Sequence, residues 1–286
     1  MGTALDVSRP VLSRRREVGE ASSRSLLMTL LGEFVLPRDG AVWTSVLIRA
    51  LAMFAVEEKS ARQALARTAA EGWLISQRQG RRVRWDLTEA GRALLTHGAD
   101  RIYSFGREQP AWEQTWLVLI VTVPNARREL RHQLRTRLSW AGFGSPAPGV
   151  WVTPDTAHEP EATQILDELG LAAGAMSFRA QYGSIGSPES AAAQAWDLAS
   201  VAARYEAFIA EFSGLAPGRG DETLIAATRL VHEWRRFPFL DPQLPVKLLP
   251  AHWSGTRAAR LFHARRSEWQ PGAQLRWDTL TAEEAP

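Results

Sequence analysis

The chain has 286 residues, 45% of them hydrophobic, and 34 Lys and Arg against 31 Asp and Glu give a formal net charge of only +3. That is roughly two domains' worth of chain, apolar enough to bury sizeable cores, and its balanced charge announces no nucleic-acid partner unless the charge is localised. The absence of cysteine excludes disulfides, iron–sulfur clusters and cysteine-type zinc sites.

Residues 1–21 are polar, with Arg14, Arg15 and Arg16 as their charge run, and are expected to form a disordered arm. From Ser22 to Val35 a first helix is predicted on the stripe Leu26, Leu27, Leu30, Leu31 and Phe34, ended by Pro37-Arg38-Asp39-Gly40. Two further helical patterns follow. Thr44 to Phe54 repeats Val46, Leu47, Ala50, Leu51 and Phe54 at the spacing of one buried face. After a break at Ala55-Val56-Glu57, Glu58 to Ala70 turns Ala61, Ala64, Leu65 and Thr68 inward. The opposite face of that helix then carries Lys59, Arg62, Gln63 and Ala66, flanked by Ser60 and Arg67. Those types suit a duplex: Arg and Lys bond guanine edges or phosphates, Gln bonds adenine, and Ala lets the backbone approach.

Trp73 to Arg78 reads as a short strand, Gln79-Gly80 as a turn, and Arg82 to Leu87 as the return. In the return strand Val83, Trp85 and Leu87 alternate with Arg82, Arg84 and Asp86, the period-two pattern of a half-buried strand. Arg78, Arg81, Arg82 and Arg84 therefore crowd a hairpin beside the second of these helices, where a phosphate or minor groove would lie. Two helices, a short turn and a basic hairpin predict a winged helix-turn-helix that binds double-stranded DNA. A small helical core with a solvated basic hairpin is the alternative. Thr88 can cap a helix to about Phe105, a linker that closes a domain over residues 22–105.

The middle stretch, 106–187, changes character. Thr115 to Val123 is a near-continuous apolar strand, Asn125 to Trp140 an amphipathic helix, Gly149 to Thr153 a strand, Pro160 to Leu169 a helix and Met176 to Tyr182 a strand. With a further strand in Gly142 to Ala147, the order β-α-β-β-α-β is ferredoxin-like. Its first helix carries Arg127, Arg128, Arg131, Arg135 and Arg137, either a second phosphate surface or a solvated face. Small CRISPR-associated nucleases share such a fold and resemble this stretch in outline. They place a catalytic aspartate near the end of the first strand, where Leu117 to Val123 has no acid, so metal-dependent nuclease chemistry is not expected.

A helical C-terminal domain is predicted over 188–278, with helices Ala191 to Phe212, Asp221 to Phe237 and Gly255 to Glu268, and an acidic frayed tail over 279–286. Between the last two helices, Pro238, Pro242, Pro245 and Pro250 pin an apolar loop that must be packed. His232-Glu233-Trp234-Arg235-Arg236 begins like a zinc-protease helix, but Arg236 stands where the second histidine belongs. No phosphate-binding loop, serine elbow or dinucleotide fingerprint occurs, so no metal, no cofactor and no catalytic residue is expected. The best apolar run is of strand length and the N-terminus lacks a signal-peptide core, so a cytoplasmic protein with no membrane partner is expected.

Around this loop the sequence resembles the PaaX-type transcriptional repressors of phenylacetic acid degradation. The carrying residues are Leu230-Val231-His232-Glu233-Trp234-Arg235-Arg236-Phe237-Pro238-Phe239-Leu240-Asp241-Pro242, then Leu244-Pro245, Leu248-Leu249-Pro250 and Trp253-Ser254-Gly255. Ser23-Arg24-Ser25-Leu26-Leu27, Arg62-Gln63-Ala64-Leu65 with Arg67, and Glu71-Gly72-Trp73-Leu74 are similar to the family's N-terminal pattern, so the likeness covers roughly residues 22 to 270. It implies a homodimeric, three-part α+β repressor released from operator DNA by an aryl-CoA thioester such as phenylacetyl-CoA. His232, Arg235, Arg236, His252 and Trp253 combine the cationic and aromatic groups such an effector would want, although a packed loop with buried tryptophan fits the same residues. The family often has glycine at the helix-turn-helix turn and serine at the cap; this chain has Ala55 and Glu57. Ala in a left-handed conformation costs on the order of 1 kcal/mol, so a differently built turn is expected. An enzyme acting on a CoA thioester, with His232, Glu233 or Asp241 in the chemistry, is the second reading.

Overall fold

Leu26, Leu27, Leu30, Leu31 and Phe34 are all buried, as their spacing requires. In the computed structural model, which describes residues 22–107, 112–124 and 126–284, they lie on helix α1 (Ser23–Leu30) and the π turn Leu31–Val35 that prolongs it. The Ser22 hydroxyl accepts from the Ser25 amide at 3.1 Å and so caps the start. Asp39, at φ 49, ends the segment where the Pro-Arg-Asp-Gly run predicts. The expected arm over 1–21 lies outside the described residues.

A short strand β1 (Val42–Trp43) leads into α2 (Thr44–Ala52), and α3 (Glu58–Ala70) follows with the predicted bounds. The turn between them corrects one expectation. Ala55 does adopt the left-handed conformation, φ 59. Its cost is offset because the turn closes two orphan carbonyls of α2: Val56 N–H donates to Leu51 O at 3.3 Å and Ala55 N–H to Ala52 O at 3.0 Å. Glu57 occupies the cap of α3 without a side-chain capping bond.

Strands β2 (Leu74–Gln79) and β3 (Arg82–Leu87) pair antiparallel, and β1 adds to β3 to give the order β1-β3-β2. Gly80, at φ 61, takes the first position of the two-residue turn. The Trp85 indole N–H donates to the Thr44 hydroxyl at 2.9 Å, which donates to Val83 O at 2.8 Å, tying hairpin to helix. Thr88 caps α4 (Glu89–Ser104) through its bond from the Gly91 amide, 3.0 Å.

The middle stretch runs β4 (Thr115–Val121), α5 (Arg128–Trp140), β5 (Gly144–Ala147), β6 (Val150–Thr153), α6 (Glu159–Glu168) and β7 (Ala175–Gln181). The sheet order β5-β6-β4-β7, antiparallel throughout, is the ferredoxin-like order. Strand β4 is apolar from Trp116 onward because both its faces are covered. Leu117, Leu119 and Val121 pack with Leu134, Leu138, Ile165 and Leu166 of the two helices. Trp116 and Val118, on the opposite face, pack with Leu244, Leu248 and Leu249 of the proline-rich loop.

The helical remainder differs from the sequence reading in three places. The expected helix Ala191 to Phe212 is two, α7 (Pro188–Ala195) and α8 (Leu198–Phe212). Trp196 is extended between them, and Asp197 recaps the chain by accepting from the Ser200 amide at 3.1 Å. Helix α9 (Asp221–Trp234) stops short of Phe237, and a single turn α10 (Phe237–Leu240) follows. Helix α11 (Ser254–Glu283) replaces the shorter helix and takes in the first residues of the expected tail: it continues through Pro271 for 30 residues. Trp269, Ala273, Trp277 and Leu280 form a buried stripe around and beyond the proline, and their burial outweighs its missing hydrogen bond.

The chain divides into two units. The first holds residues up to Ala99, Pro217–His232 and from Glu268 onward; the second holds Asp100–Ala216 and Glu233–Ser267. The predicted stretch 188–278 thus contributes to both. Phe34 stacks on Trp277 at 4.8 Å in the first unit, and Trp234 on Phe262 at 4.6 Å in the second.

Candidate nucleic-acid interface and clefts of the second unit

Helix α3 turns Ala61, Ala64, Leu65 and Thr68 into the core of the first unit and leaves Lys59, Arg62, Gln63, Ala66 and Arg67 exposed, with Ser60 half-buried at the edge. Arg62 is held by Glu58 one turn earlier, Nη2 to Oε1 2.7 Å, with both side chains mostly in solvent. Such a pair contributes only about a few tenths of a kcal/mol, so exchanging Glu58 for a phosphate or base edge is cheap. Arg24 anchors the other end of the helix. Its guanidinium pairs with Glu71 and lies 5.0 Å from the centroid of the Trp73 ring.

The hairpin splits its arginines. Register places Arg82 opposite Gln79 and Arg84 opposite Gln77 on one face, while Arg78 stands opposite Val83 on the other. Arg84 Nε donates to Gln77 Oε1 at 3.0 Å, Arg78 Nε to Gly80 O at 3.1 Å, and Arg81 is exposed at the turn. Arg82 Nη1 donates to the backbone carbonyl of Glu284 at 3.0 Å, and Arg49 pairs with Glu283 at 2.7 Å. The end of α11 thus engages hairpin and helix α2. Sequence reasoning missed Arg49, Glu283 and Glu284, because it ended the last helix early.

The residues expected to take an effector fall in different settings. His232 belongs to the first unit and is buried, its Nδ1 2.9 Å from the Thr29 hydroxyl. Arg235 is half-buried, His252 is exposed at φ 61, and Trp253 packs edge-on against Tyr205 at 5.9 Å. Arg236 pairs with Glu233 at 2.9 Å and lines a cleft of about 170 Å³ with Arg204, Glu211, Phe208 and Phe237. Beneath the loop, Tyr205 donates to Asp241 at 2.6 Å and the Gln243 amide donates to Asp241 at 2.7 Å. Burial pushes the Asp241 carboxyl above its ordinary range, against these bonds and one from Trp253. Burial and the neighbouring carboxylate push the Tyr205 hydroxyl upward as well.

A larger cleft of about 340 Å³ opens between β4, α5 and the β5–β6 turn, lined in part by Arg131, Arg135 and Trp151. Among the described residues no group of His, Asp or Glu is placed to hold a metal ion, and no helix is long and apolar enough to cross a membrane.

A basic helix and hairpin, an antiparallel β-α-β-β-α-β sheet and a helical C-terminal stretch define a multidomain α+β protein. Three sequence-family models match in the same order. Residues 22–91 match one described as PaaX-like protein, 109–192 the PaaX protein central Cas2-like domain, and 196–279 the PaaX-like protein C-terminal domain. The transcriptional repressor PaaX of Escherichia coli (strain K12) is 33% identical over 251 residues, covering 84% of this chain and 78% of that protein. The chain therefore belongs to the PaaX family. A solved structure, the uncharacterized protein Rv0674 from Mycobacterium tuberculosis, shares the fold with a TM-score of 0.62, 24% identity, and coverage of 91% of this chain and 98% of that one.

Proposed function

We propose that this chain is a transcriptional repressor that binds operator DNA through a winged helix-turn-helix made by α2, α3 and the β2–β3 hairpin. The observation that carries the reading is the two-sided helix α3: its apolar residues are buried, and Lys59, Arg62, Gln63 and Arg67 face solvent beside the basic hairpin. The bidentate chemistry of Arg62 and Gln63 suits base edges, while the hairpin arginines suit phosphates. The E. coli relative is named a transcriptional repressor, which supports the same role here.

The protein works as a cytoplasmic homodimer in this reading, since two copies present two recognition helices to successive major grooves. Strand β7 supports a second copy as the partner of the sheet: it is an edge strand with Met176 53% and Phe178 49% exposed. An aryl-CoA thioester such as phenylacetyl-CoA releases the DNA, with Arg235, Arg236, His252 and Trp253 as candidate contacts. The groups that an enzyme would need are engaged structurally, His232 with Thr29 and Asp241 with Tyr205, which favours a regulator.

The test is a mobility-shift titration on the promoter adjoining the gene, with and without phenylacetyl-CoA. The expected result is tight binding to that promoter over unrelated DNA, abolished by the thioester but not by free CoA. Equal affinity for promoter and unrelated DNA overturns the repressor reading. Binding that no acyl-CoA reverses overturns the effector alone.

A further inference from the structure

We propose that helix α5 of the second unit is a further DNA-contacting surface, one that grips the phosphate backbone without reading sequence. It lies outside the winged helix-turn-helix and rests on the reading of this chain as a DNA binder. Helix α5 with its cap Arg127 carries five arginines against a single carboxylate, Glu129. At the helical period Arg128, Arg131 and Arg135 fall within about 60° of one another, and Glu129 stands roughly a quarter-turn from Arg128. Arg127, Arg128 and Arg135 are exposed, and neither Arg128 nor Arg135 has a salt-bridge partner among the described residues. Arg131 is half-buried beside them and donates to Pro124 O at 3.3 Å, so the exposed three carry the surface. Arg137 lies on the other flank and pairs with Glu168 of α6.

Two features set this stripe apart from an ordinary solvated helix face. Its charge is segregated: Arg127 with Arg131, and Arg131 with Arg135, stand at the i,i+4 spacing at which like charges repel. Helix α6 packs beside α5 through Ile165 and Leu166 and holds four carboxylates with no Lys or Arg. Compensating charge is thus close, yet it is Arg137 that pairs with α6, not Arg128 or Arg135. The second feature is position. Arg127 and Arg128 stand at the start of the helix, where the backbone dipole is positive and cations are unfavourable. A bound anion relieves both conflicts, and phosphates suit helix N-termini for the same reason. DNA matches the length as well. The stripe runs roughly 10 Å from Arg128 to Arg135, over which one strand of B-DNA places about three phosphates. Each arginine fork can take two phosphate oxygens.

The test is fluorescence anisotropy of the full chain against salt on two long duplexes of equal length, one carrying the adjoining promoter and one of unrelated sequence. The R128Q/R135Q variant should bind both several-fold more weakly, with a salt dependence flatter by about one unit for each arginine removed and an unchanged preference for the promoter. R128K/R135K, which keeps the charge, should retain most of the slope. Arg257→Gln, which removes an exposed charge elsewhere in the same unit, should leave the slope as it is. An affinity and slope untouched in R128Q/R135Q overturn the surface. An equal effect of Arg257→Gln does so too, since net charge alone would then explain the loss. A loss that follows a change in sedimentation rather than in salt slope assigns the stripe to contact between copies, and likewise overturns it. If the parent shows no promoter preference while R128Q/R135Q still weakens both duplexes, the repressor reading falls and this surface stands. Binding to neither duplex ends both.

Discussion

Helix α3 of the first unit and the loop region of the second both look like ligand surfaces in the sequence, and the structure treats them in opposite ways. On α3 the polar residues that stand out remain in solvent, and the Arg62–Glu58 pair that holds one of them is itself exposed. Around the loop the aromatic residues that stand out pack on one another: Tyr205 stacks on Phe237 at 4.1 Å and Trp234 on Phe262 at 4.6 Å. The difference teaches that one helix displays its own chemistry through its period. A proline-pinned loop does not, because its surroundings come from β4 and α8, distant in sequence. Exposed charge on a regular element is readable; aromatic residues in a packed loop are ambiguous until their neighbours are known.

The largest effect expected from this contrast is in the aromatic cluster. Trp234→Ala removes a fully buried ring that packs against Phe208, Phe237 and Phe262 and should cost about 3–5 kcal/mol of stability. Chemical denaturation followed by circular dichroism measures it. A loss below about 1 kcal/mol, well under the usual cost of a buried aromatic, would mean that the cluster is not core, and the contrast with α3 would collapse.

The legible parts of the fold have a common cause. Helix α3 could be bounded to the residue because Ala61, Ala64, Leu65 and Thr68 alternate cleanly with charge, and β4 could be located, though read two residues too long at its end, because a strand covered on both faces is nearly continuously apolar. The break at Trp196-Asp197 was not legible, since both flanking stretches are alanine-rich and the restart is marked by a single capping side chain, Asp197, which accepts from the Ser200 amide and hydroxyl. Nor was the length of α11, where Pro271 reads as a stop but is overridden by tertiary burial of Trp277 and Leu280. The Arg131–Arg135 cleft needed the β5–β6 turn brought against α5, and periodicity within one helix carries no trace of that.

A pH series sharpens the second half of the comparison. Burial raises the Asp241 carboxyl above its ordinary value, so the folded state prefers the protonated form. The resulting stability is fully present below the unfolded value of about 4 and is lost as pH rises through the folded value. Denaturation midpoints should therefore fall as pH rises from about 4 towards neutrality. Asp241→Asn, which keeps an acceptor for the Gln243 amide and sets an amide donor against the Tyr205 oxygen, should flatten that slope; a slope unchanged in the variant would assign it elsewhere.

A smaller effect tests the first half. Ala55 holds φ 59 where glycine would be unstrained. Ala55→Gly should raise stability by about 0.5–1 kcal/mol, the relief of strain less the extra freedom of glycine in the unfolded chain. Thermal melting decides it, and a destabilised variant would show that the turn is not under strain.

The most direct test of the central claim, that α3 reads bases while the hairpin holds phosphate, is operator affinity measured against salt for three variants. Arg62→Ala and Gln63→Ala should each lose roughly 1–3 kcal/mol of discrimination between operator and single-base variants of it. The R81A/R82A pair should bind all DNA more weakly, with a salt dependence flatter by about one unit for each phosphate no longer neutralised. Unchanged operator affinity in both α3 variants, with native circular dichroism, would contradict the account.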